Sequence, residues 1–510
     1  MLRKIRIFLA VTVFSLVTLL FLDFTGTLHL WFGWLAKMQL IPAILAVNIV
    51  ALIFIALLTS IFGRVYCSVI CPLGIMQDGI SNLAGRRKGK KNRFSYSKAK
   101  NWLRYSLLVL FIVALVAHIS VISTLLDPYA AYGRIASNLF APIYRLGNNL
   151  LAIFAERVDS YAFYSTDVWI KSCTVFGVAI ATLAVVGILA WRNGRTYCNT
   201  ICPVGTLLGN ISEYSIYSLF KITFDVDKCT DCELCERNCK ASCINSKEHE
   251  IDYSRCVTCF NCIEKCKHGA ISYKFRPLRK KKNVETAAVS AQNNNDGVSR
   301  RSVLSLLGIL VAGQALRAQE QAPLLTGEGG LAPLEDKIAP ARQTPIVPPG
   351  AESLKNMKAH CTACQLCVSS CPNNVLRPSK KLVTFMQPEM SFERGYCRPE
   401  CIECSSVCPT GAIKSITTAT KSVIAVGSAV WIEKNCIVLR DNEQCNVCEV
   451  KCPTEAIVMR RLDPEKENSL KVPAIDTEKC IGCGACEYLC PARPFSAIYV
   501  EGKTEHREIW

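Results

Sequence analysis

The sequence of 510 residues lacks several signatures of catalytic chemistry. It contains no catalytic triad, phosphate-binding loop, molybdenum-cofactor signature or Cys-x2-Cys-His haem motif. Charged residues are also sparse, at 20% against 50% apolar residues, which excludes a disordered or fibrous protein. We therefore expect a folded protein that leaves substrate chemistry to a partner.

Acidic residues are scarce beside basic ones, 41 against 59, which gives a net charge of +18. Much of this excess lies in loops next to apolar runs, so we expect a membrane surface rather than nucleic acid as the partner. The 30 cysteines are too thinly spread in so long a chain for a disulfide scaffold. Their spacing therefore has to be explained by another role.

Four apolar runs lie in the first part of the chain, at 5–22, 41–62, 103–126 and 169–191. Each has about the 20 residues that a helix needs to span a bilayer. Residues 1–210 are therefore predicted to form an α-helical membrane bundle of four transmembrane helices, with buried core helices as the alternative. Basic residues precede the first run, separate the second from the third and follow the fourth, so both ends of this domain should face the cytoplasm.

The membrane domain contains an internal repeat, since residues 63–74 and 194–205 are identical at eight of twelve positions. Both copies contain a Cys-x3-Cys-Pro motif and follow an even-numbered apolar run. Duplication alone would explain the similarity. The functional alternative is a redox or metal site at one side of a pseudo-symmetric bundle, formed by Cys67, Cys71, Cys198 and Cys202.

Six runs of four cysteines account for most of the others. Four runs have the spacing Cys-x2-Cys-x2-Cys-x3-Cys: Cys229, Cys232, Cys235, Cys239; Cys256, Cys259, Cys262, Cys266; Cys361, Cys364, Cys367, Cys371; and Cys480, Cys483, Cys486, Cys490. Two variant runs are Cys397, Cys401, Cys404, Cys408 and Cys436, Cys445, Cys448, Cys452. Three closely spaced thiolates can wrap one cubane while the fourth ligates a neighbour, whereas zinc needs only Cys-x2-Cys pairs. We therefore predict six [4Fe–4S] clusters.

The runs predict two α+β modules that resemble bacterial ferredoxins. Residues 220–275 hold two runs and form a two-cluster module, in which Cys266 should complete the first cluster and Cys239 the second. Cys243 could replace Cys239, and the sequence leaves this open. Residues 351–501 hold four runs, which pair either as neighbours or in a nested order.

Residues 276–350 between the modules are predicted to be a linker, because they are polar, basic and partly of low complexity. Arg300 and Arg301 precede an apolar stretch at 303–316, a pattern that resembles a twin-arginine export signal. This stretch is a candidate fifth transmembrane segment, or alternatively a soluble helix at a domain boundary.

With these motifs in view, the chain resembles a fusion of two electron-transfer proteins. Residues 1–275 resemble the membrane quinol dehydrogenase H subunit of periplasmic nitrate reductase systems, by their four helices, two Cys-x3-Cys-Pro motifs and two-cluster tail. Residues 299–501 resemble the partner G subunit and its methylamine-utilisation relatives. The shared features there are the twin arginine, the segment 347–351 and the widened third run.

The resemblance implies an electron relay in the bacterial inner membrane, from the quinol pool to a periplasmic redox protein or reductase. The first module would then be cytoplasmic and the carboxy-terminal module periplasmic. Whether the chain is itself a quinol dehydrogenase, and so an enzyme, stays open. Polar residues near helix depth are candidates for a quinone site: Asp23, Asn48, His118, Asp127 and Tyr129.

Two other functions are compatible with the same motifs. The chain could donate electrons for the maturation or regulation of a metalloenzyme. Alternatively, both modules could lie in the cytoplasm as the ferredoxin-type component of a membrane redox complex.

Overall fold

The computed structural model describes residues 1–23, 25–87, 94–159, 163–214, 220–275, 335–466 and 469–509. Within this part of the chain, residues 1–275 and 337–509 form one unit. The twin arginine and the candidate fifth transmembrane segment at 303–316 lie outside the described residues.

The first 214 residues are mainly helical, as their long apolar runs predict. The helices are α1 (Leu2–Leu22), α2 (Thr27–Phe32), α3 (Trp34–Lys37), α4 (Leu40–Leu45), α5 (Ile49–Phe62), α6 (Pro72–Arg87), α7 (Asn101–Val116), α8 (Ser120–Leu126), α9 (Pro128–Ile135), α10 (Ala141–Glu156), α11 (Cys173–Asn193), α12 (Thr196–Thr200) and α13 (Pro203–Tyr214). Two π-helical turns cover Tyr66–Ile70 and Ala136–Phe140.

Two of these helices, α1 and α11, are long and apolar enough to cross a membrane, with 21 residues each. Helices α5 and α7 are apolar but shorter, with 14 and 16 residues. All four expose large apolar side chains, among them Phe8, Val50, Val116 and Ile188. Length and composition by themselves make two such helices only weak support for a membrane domain.

Two of the predicted runs are not continuous helices. The run 41–62 divides into α4 and α5 at Val47, and the run 103–126 divides into α7 and α8 at His118. Both residues have left-handed backbone angles, with φ of 52° and 54°. Asn48 then caps α5 by accepting a hydrogen bond from a backbone N–H of its first turn. Apolar content continues across both breaks, so hydropathy could not reveal them.

The cysteine-rich parts contain short helices and five two-stranded antiparallel sheets among the described residues. Residues 220–275 contain β1 (Phe220–Phe224), β2 (Ile244–Asn245), β3 (Glu250–Ile251), β4 (Ile271–Phe275), α14 (Leu234–Arg237) and α15 (Asn261–Lys265). Strand β1 pairs with β4, and β2 pairs with β3. The first pair joins the beginning of this module to its end.

The carboxy-terminal part contains α16 (Leu354–His360), α17 (Leu366–Ser369), β5 (Leu376–Pro378), β6 (Pro388–Met390), α18 (Glu403–Val407), α19 (Thr418–Val423), β7 (Ile424–Trp431), α20 (Ile437–Arg440), α21 (Val447–Val450), β8 (Ile457–Arg461), β9 (Lys471–Ile475), α22 (Ala485–Leu489) and β10 (Ile498–Glu508). Single 3-10 turns lie at Val226–Lys228, Leu382–Thr384 and Glu433–Asn435. The sheets are β5–β6, β7–β10 and β8–β9.

The carboxy-terminal module is longer than its cysteines suggested. Residues 337–350, predicted as the end of the linker, pack on it through buried Ile346, whose carbonyl accepts a hydrogen bond from Met390 N at 2.8 Å. Arg342 in the same segment pairs with buried Glu487 at 2.5 Å. Strand β10 carries the module beyond residue 501, to Glu508. Residues 337–350 were predicted to be linker because of their prolines and polar residues, but a buried extended segment can have the same composition.

The two cysteine-rich parts contact opposite ends of the four apolar helices. Arg3, at the start of α1, pairs with Glu264 of the first module, whereas Gly26, just beyond its end, lies against Glu403. At the start of α7, Arg104 donates to Ser254 Oγ at 3.0 Å. Just past its end, the hydroxyl of Ser120 donates to the carbonyl of Val383, a residue of the carboxy-terminal part.

Helices α5 and α11 also extend between the two modules, but they run in the opposite direction. They begin at the carboxy-terminal part and end at residues 220–275. Phe62 ends α5 and stacks on Phe220 with ring centroids 5.7 Å apart, while Ala46, before α5, lies against Gly411. Val175, in the first turn of α11, packs in a cluster with residues of the carboxy-terminal part. The four helices therefore separate the two modules.

Connecting segments fold back between the helices from both ends. The first repeat returns from the end that faces residues 220–275, and the segments 27–46 and 120–140 return from the opposite end. They meet where Tyr66 Oη donates to Gln39 Oε1 at 3.0 Å. The interior between the modules is thus built from the repeats and from these two segments.

Candidate iron–sulfur and thiolate sites

The run cysteines of residues 220–275 separate into two groups around two cavities. The outer amino-terminal site is lined by Cys229, Cys232, Cys235 and Cys266. The inner amino-terminal site is lined by Cys239, Cys256, Cys259 and Cys262, with Cys243 beside them. Each group combines three cysteines of one run with the last cysteine of the other, which is the ligand exchange of two-cluster ferredoxins. The residues present therefore fit two [4Fe–4S] clusters.

Cys243 is a fifth thiol at the inner amino-terminal site. It is buried, and its Sγ lies 3.5 Å from Cys239 Sγ. A hydrogen bond with Cys243 lowers the pKa of Cys239 and that of Cys256, and the same contacts raise the pKa of Cys243. Cys239 is the cysteine that completes the spacing of its run and so fits the exchanged ligand, and Cys243, at 3.5 Å from Cys239 Sγ, is close enough to be an S–H donor to it.

The run cysteines of the carboxy-terminal part form four groups whose thiols interact electrostatically or line a common cavity. The first carboxy-terminal site has Cys361, Cys364, Cys367 and Cys408, and the second has Cys371, Cys397, Cys401 and Cys404. The third has Cys452, Cys480, Cys483 and Cys486, and the fourth has Cys436, Cys445, Cys448 and Cys490. Neighbouring runs share sites, so the structure has the neighbouring order rather than the nested one.

Each of these four sites is connected to the next. The first lies next to the helices, since the backbone of Cys364 lies against Gly133 of α9. The second and third are joined where Cys397 N donates to Cys483 O at 2.9 Å. The first and second exchange a ligand between their runs, and so do the third and fourth. The four sites are therefore connected in series, each next to the following one.

The two Cys-x3-Cys-Pro motifs bring their thiols together in the interior of the helical part. This four-thiol site consists of Cys67, Cys71, Cys198 and Cys202, each at most 5% exposed. They belong to one buried cluster with Tyr66 and Tyr197, the matching tyrosines of the two repeats. The Cys71 thiol interacts electrostatically with those of Cys198 and Cys67, and the Cys202 thiol interacts with all three others.

Each repeat places an arginine at the glycine of the other repeat. A Cβ at Gly74 would meet the guanidinium of Arg195, and a Cβ at Gly205 would meet that of Arg64. Both arginines are completely buried. Each guanidinium lies 3.8 Å from the first thiol of its own repeat. Identical residues in the two copies are therefore explained by this reciprocal packing around the thiols.

A buried ion network joins the four-thiol site to the inner amino-terminal site. Asp78 accepts from Arg195 Nε and from Arg6 Nη1, both at 2.9 Å, and Lys240 Nζ lies 3.4 Å away. Burial alone would raise the pKa of Asp78, but Arg195 and Lys240 outweigh it and hold that pKa well below its usual range. Lys240 directly follows Cys239, and its carbonyl accepts from Arg195 N at 2.9 Å.

On its other side, the four-thiol site is separated from the first carboxy-terminal site by buried polar residues. Tyr66 of the first repeat is close enough to Asp127 for electrostatic interaction, and Tyr129 interacts with both of them and with Cys364. Asp127 caps α9 by accepting from Tyr129 N at 3.0 Å. Among the described residues, Asp127 Oδ2 and Tyr129 Oη have no hydrogen-bond partner.

The five quinone-site candidates do not form one site. Asp23 holds the turn before α2 and pairs with His29 at 3.3 Å, Asn48 caps α5, and His118 is exposed at a helix break. Only Asp127 and Tyr129 lie together. The first three are explained by local structure, which their isolated polar character in the sequence could not show.

Several residues at these sites were not expected from the sequence: Arg64, Arg195, Asp78 and Lys240. The repeat contained a signal for the arginines, because Gly-Arg-x-Tyr-Cys occurs in both copies. Lys240 follows the fourth cysteine of its run, a position where proline is usual. This departure was also a signal in the sequence that Lys240 has a role at the site. Asp78 carried no such signal, because its partners come from three separate segments.

Two family models match the chain. A 4Fe-4S binding domain matches residues 44–91 and 174–220, which contain the two repeats. A 4Fe-4S dicluster domain matches residues 360–412 and 443–493, which contain most carboxy-terminal run cysteines. No solved structure matches the chain.

Curated relatives are ferredoxin-type proteins. The methylamine utilization ferredoxin-type protein MauM of Methylobacillus flagellatus is 32% identical over 170 residues, 32% of this chain and 70% of the relative. The ferredoxin-type protein NapG of Escherichia coli is 31% identical over 177 residues, 31% of this chain and 71% of the relative. NapF of Escherichia coli is 27% identical over 156 residues, 30% of this chain and 85% of the relative. With its cysteine runs gathered into ligand-exchanged groups, the chain belongs to this family of ferredoxin-type iron–sulfur electron-transfer proteins.

Proposed function

We propose that the chain is a membrane-bound relay that passes electrons from quinol to a redox partner on the extracytoplasmic side. The observation that carries this proposal is the contact of the two cysteine-rich parts with opposite ends of four apolar helices. A soluble electron carrier has no need for such a separation. Exposed Val, Ile, Leu and Phe on these helices are suited to lipid.

The distribution of charge supports one orientation. Basic residues cluster at the helix ends that contact residues 220–275, among them Arg3, Lys4, Lys98, Lys100 and Arg192. Basic residues favour the cytoplasmic side of a bacterial inner membrane. The first module is then cytoplasmic, and the carboxy-terminal module is periplasmic.

The iron–sulfur clusters would supply one-electron transfer, so the two electrons of each quinol pass singly and its two protons are released. The chain's own residues hold the clusters in order and exclude water from the interior between them. The relatives' names include methylamine utilization, which is consistent with a chain that serves a separate redox enzyme.

The relay is tested with the full chain, its clusters intact, in lipid vesicles under anaerobic conditions. We expect a menaquinol analogue to bleach the visible absorbance of the clusters and to produce paramagnetic signals of reduced clusters. We also expect dithionite outside the vesicles to reduce ferricyanide trapped inside, and vesicles without protein serve as the control. No reduction by any quinol would overturn the quinol donor, and no transfer to the trapped oxidant would overturn the transmembrane relay.

The orientation is tested separately with a reporter enzyme that is active only after export. Fused behind residue 510, it should be active, and fused behind residue 275 of a shortened chain, it should be inactive. An inactive reporter at both positions would leave only the model with both modules inside the cell.

A second candidate function is supported by the exposure of the outer amino-terminal site, where Cys232 is exposed and Cys229 is half-buried. A soluble cytoplasmic donor could reduce a cluster there, and the chain would then supply electrons for the maturation of an exported metalloenzyme. Deletion would then abolish metal loading of that enzyme but leave respiratory electron flow unchanged.

A further inference from the structure

We propose that Cys67, Cys71, Cys198 and Cys202 bind a single iron–sulfur centre, shared by the two repeats, that joins the inner amino-terminal site to the first carboxy-terminal site. This inference deepens the proposed relay and rests on it for its role. The existence of the centre can be tested without any quinol.

The thiols are arranged for one centre rather than for one centre in each repeat. A single repeat offers only two thiols, fewer than the four that iron–sulfur clusters ordinarily take. Thiols of different repeats lie close enough to interact, because the Cys71 thiol interacts electrostatically with that of Cys198, and the Cys202 thiol interacts with those of Cys71 and Cys67. The reciprocal arginine–glycine packing brings the two motifs face to face.

The surroundings are suited to a negatively charged group. Two completely buried guanidiniums, Arg64 and Arg195, approach the first thiol of each repeat at 3.8 Å. Gln77 Nε2 lies 3.3 Å from Cys198 Sγ and is suited to donate to a sulfur. Buried cations need a negative partner, and Asp78 interacts with only one of these two arginines. Four bound thiolates would supply the remaining charge.

The position of the site favours iron over zinc. On one side, Arg195 and Lys240 connect it to the inner amino-terminal site. On the other side, Tyr66 and Tyr129 lie between it and Cys364 of the first carboxy-terminal site. Zinc has no redox chemistry and would leave a gap in the middle of the series, whereas an iron–sulfur centre continues it.

The electron balance is simple. With the clusters bound, one electron would pass from iron at the inner amino-terminal site to iron held by the four thiols. The same electron would then pass to iron at the first carboxy-terminal site, which would return the shared centre to its oxidised state. No bond is made or broken, and no further reactant is needed.

The first test is metal analysis of the full chain, purified anaerobically. Iron and acid-labile sulfide should exceed the roughly 24 irons of six cubanes by the content of one further centre, and Mössbauer spectra should show the matching extra component. Zinc bound in addition to six cubanes, or iron equal to six cubanes with no extra component, would overturn the proposal. This test needs no variant, so it does not depend on how substitutions affect folding.

The second test distinguishes a shared centre from two separate ones. Cys67→Ser and Cys198→Ser should each remove the extra iron component, and the double variant should lose no more iron than either single variant. Cys173→Ser, an exposed cysteine at the start of α11, is the matched control and should retain all iron. Additive losses in the double variant would show two centres and overturn a shared one.

The third test concerns the role of the centre. In the single variants, the six cubanes should remain, but dithionite outside the vesicles should no longer reduce trapped ferricyanide. If the extra iron is present in the wild-type chain but quinol reduces nothing, the quinol relay fails while the centre stands. Unchanged transfer in variants that lack the extra iron would overturn the joining role.

Discussion

Cys243 occupies, in the first half of the ferredoxin module, the position that Ala270 occupies in the second half. The two segments are Cys239-Lys240-Ala241-Ser242-Cys243-Ile244 and Cys266-Lys267-His268-Gly269-Ala270-Ile271. Ala270 lines the outer amino-terminal site, as Cys243 lines the inner one. A thiol therefore replaces a methyl group beside the inner cluster ligands.

We expect Cys243→Ala to retain the iron of both amino-terminal clusters and to lower the reduction potential of the inner one. Hydrogen bonds to cluster sulfurs help to set the potential, and this substitution removes an S–H donor near Cys239 and Cys256. A redox titration followed by electron paramagnetic resonance measures the shift. Cys239→Ala is the comparison and should lose a cluster ligand. Loss of iron in Cys243→Ala but not in Cys239→Ala would reverse the assignment of the ligand.

The contacts of Asp78 indicate that this buried carboxylate stabilises the fold. Asp78→Asn removes the carboxylate that neutralises Arg6, Arg195 and Lys240, all of them buried. Breaking a buried ion pair costs about 3–5 kcal/mol, so we expect a markedly lower thermal midpoint for loss of cluster absorbance. Asp441→Asn breaks an exposed pair with Arg440 and should leave the midpoint unchanged. Equal midpoints for the two variants would contradict a structural role for the network.

At the scale of elements, the repeat is explained by packing rather than by its cysteines alone. Each copy ends an apolar helix at a glycine with a positive φ, Gly63 or Gly194, with φ of 79° and 69°. The chain then turns back into the interior and places its arginine and first thiol there. The second glycine of each copy leaves room for the arginine of the other copy.

Helix α6 offers a matched pair of glycines for testing this packing. Gly74→Ala should disturb the four-thiol site and lower stability, because its Cβ would collide with the carbonyl of Cys67 and with Arg195. Gly79→Ala, on the same helix, meets nothing within 4 Å and should be neutral or stabilising by up to about 1 kcal/mol. Thermal midpoints and iron content of the two variants measure the difference. An unchanged thermal midpoint and iron content in Gly74→Ala would show that the four-thiol site does not depend on close packing at Gly74.

At the scale of the whole molecule, the candidate centres form a single series. It leads from the outer amino-terminal site through the inner one and the four-thiol site to the first, second, third and fourth carboxy-terminal sites. The helices hold the two modules apart, and the segments folded back between them provide the connection. A series of this kind fails wherever one member is removed.

We therefore expect Cys404→Ala, in the second carboxy-terminal site, to prevent reduction of the third and fourth sites while the first is still reduced. Cys448→Ala, in the terminal fourth site, should leave the first three reducible. Rapid freezing after addition of the reductant, followed by electron paramagnetic resonance, distinguishes these outcomes. Reduction of the third and fourth sites in Cys404→Ala would mean that electrons enter the carboxy-terminal module elsewhere.

Local patterns predicted much of this protein. The cysteine spacing predicted ferredoxin-type [4Fe–4S] modules, and the family matches confirm this part. Six clusters, the membrane domain and the quinol donor remain predictions. The continuous helices over 41–62 and 103–126 were wrong because Val47 and His118 adopt a left-handed backbone that hydropathy does not detect.

The sequence by itself determined the chemistry of the ligands, because a run of cysteines two and three residues apart acts through local geometry. Only the tertiary structure decided which runs share a site, that the four repeat thiols meet, and that Asp78 neutralises three cations. These contacts join residues up to 162 positions apart in the chain, such as Asp78 and Lys240. They depend on how helices pack, and a pattern confined to one segment carries no information about its distant neighbours.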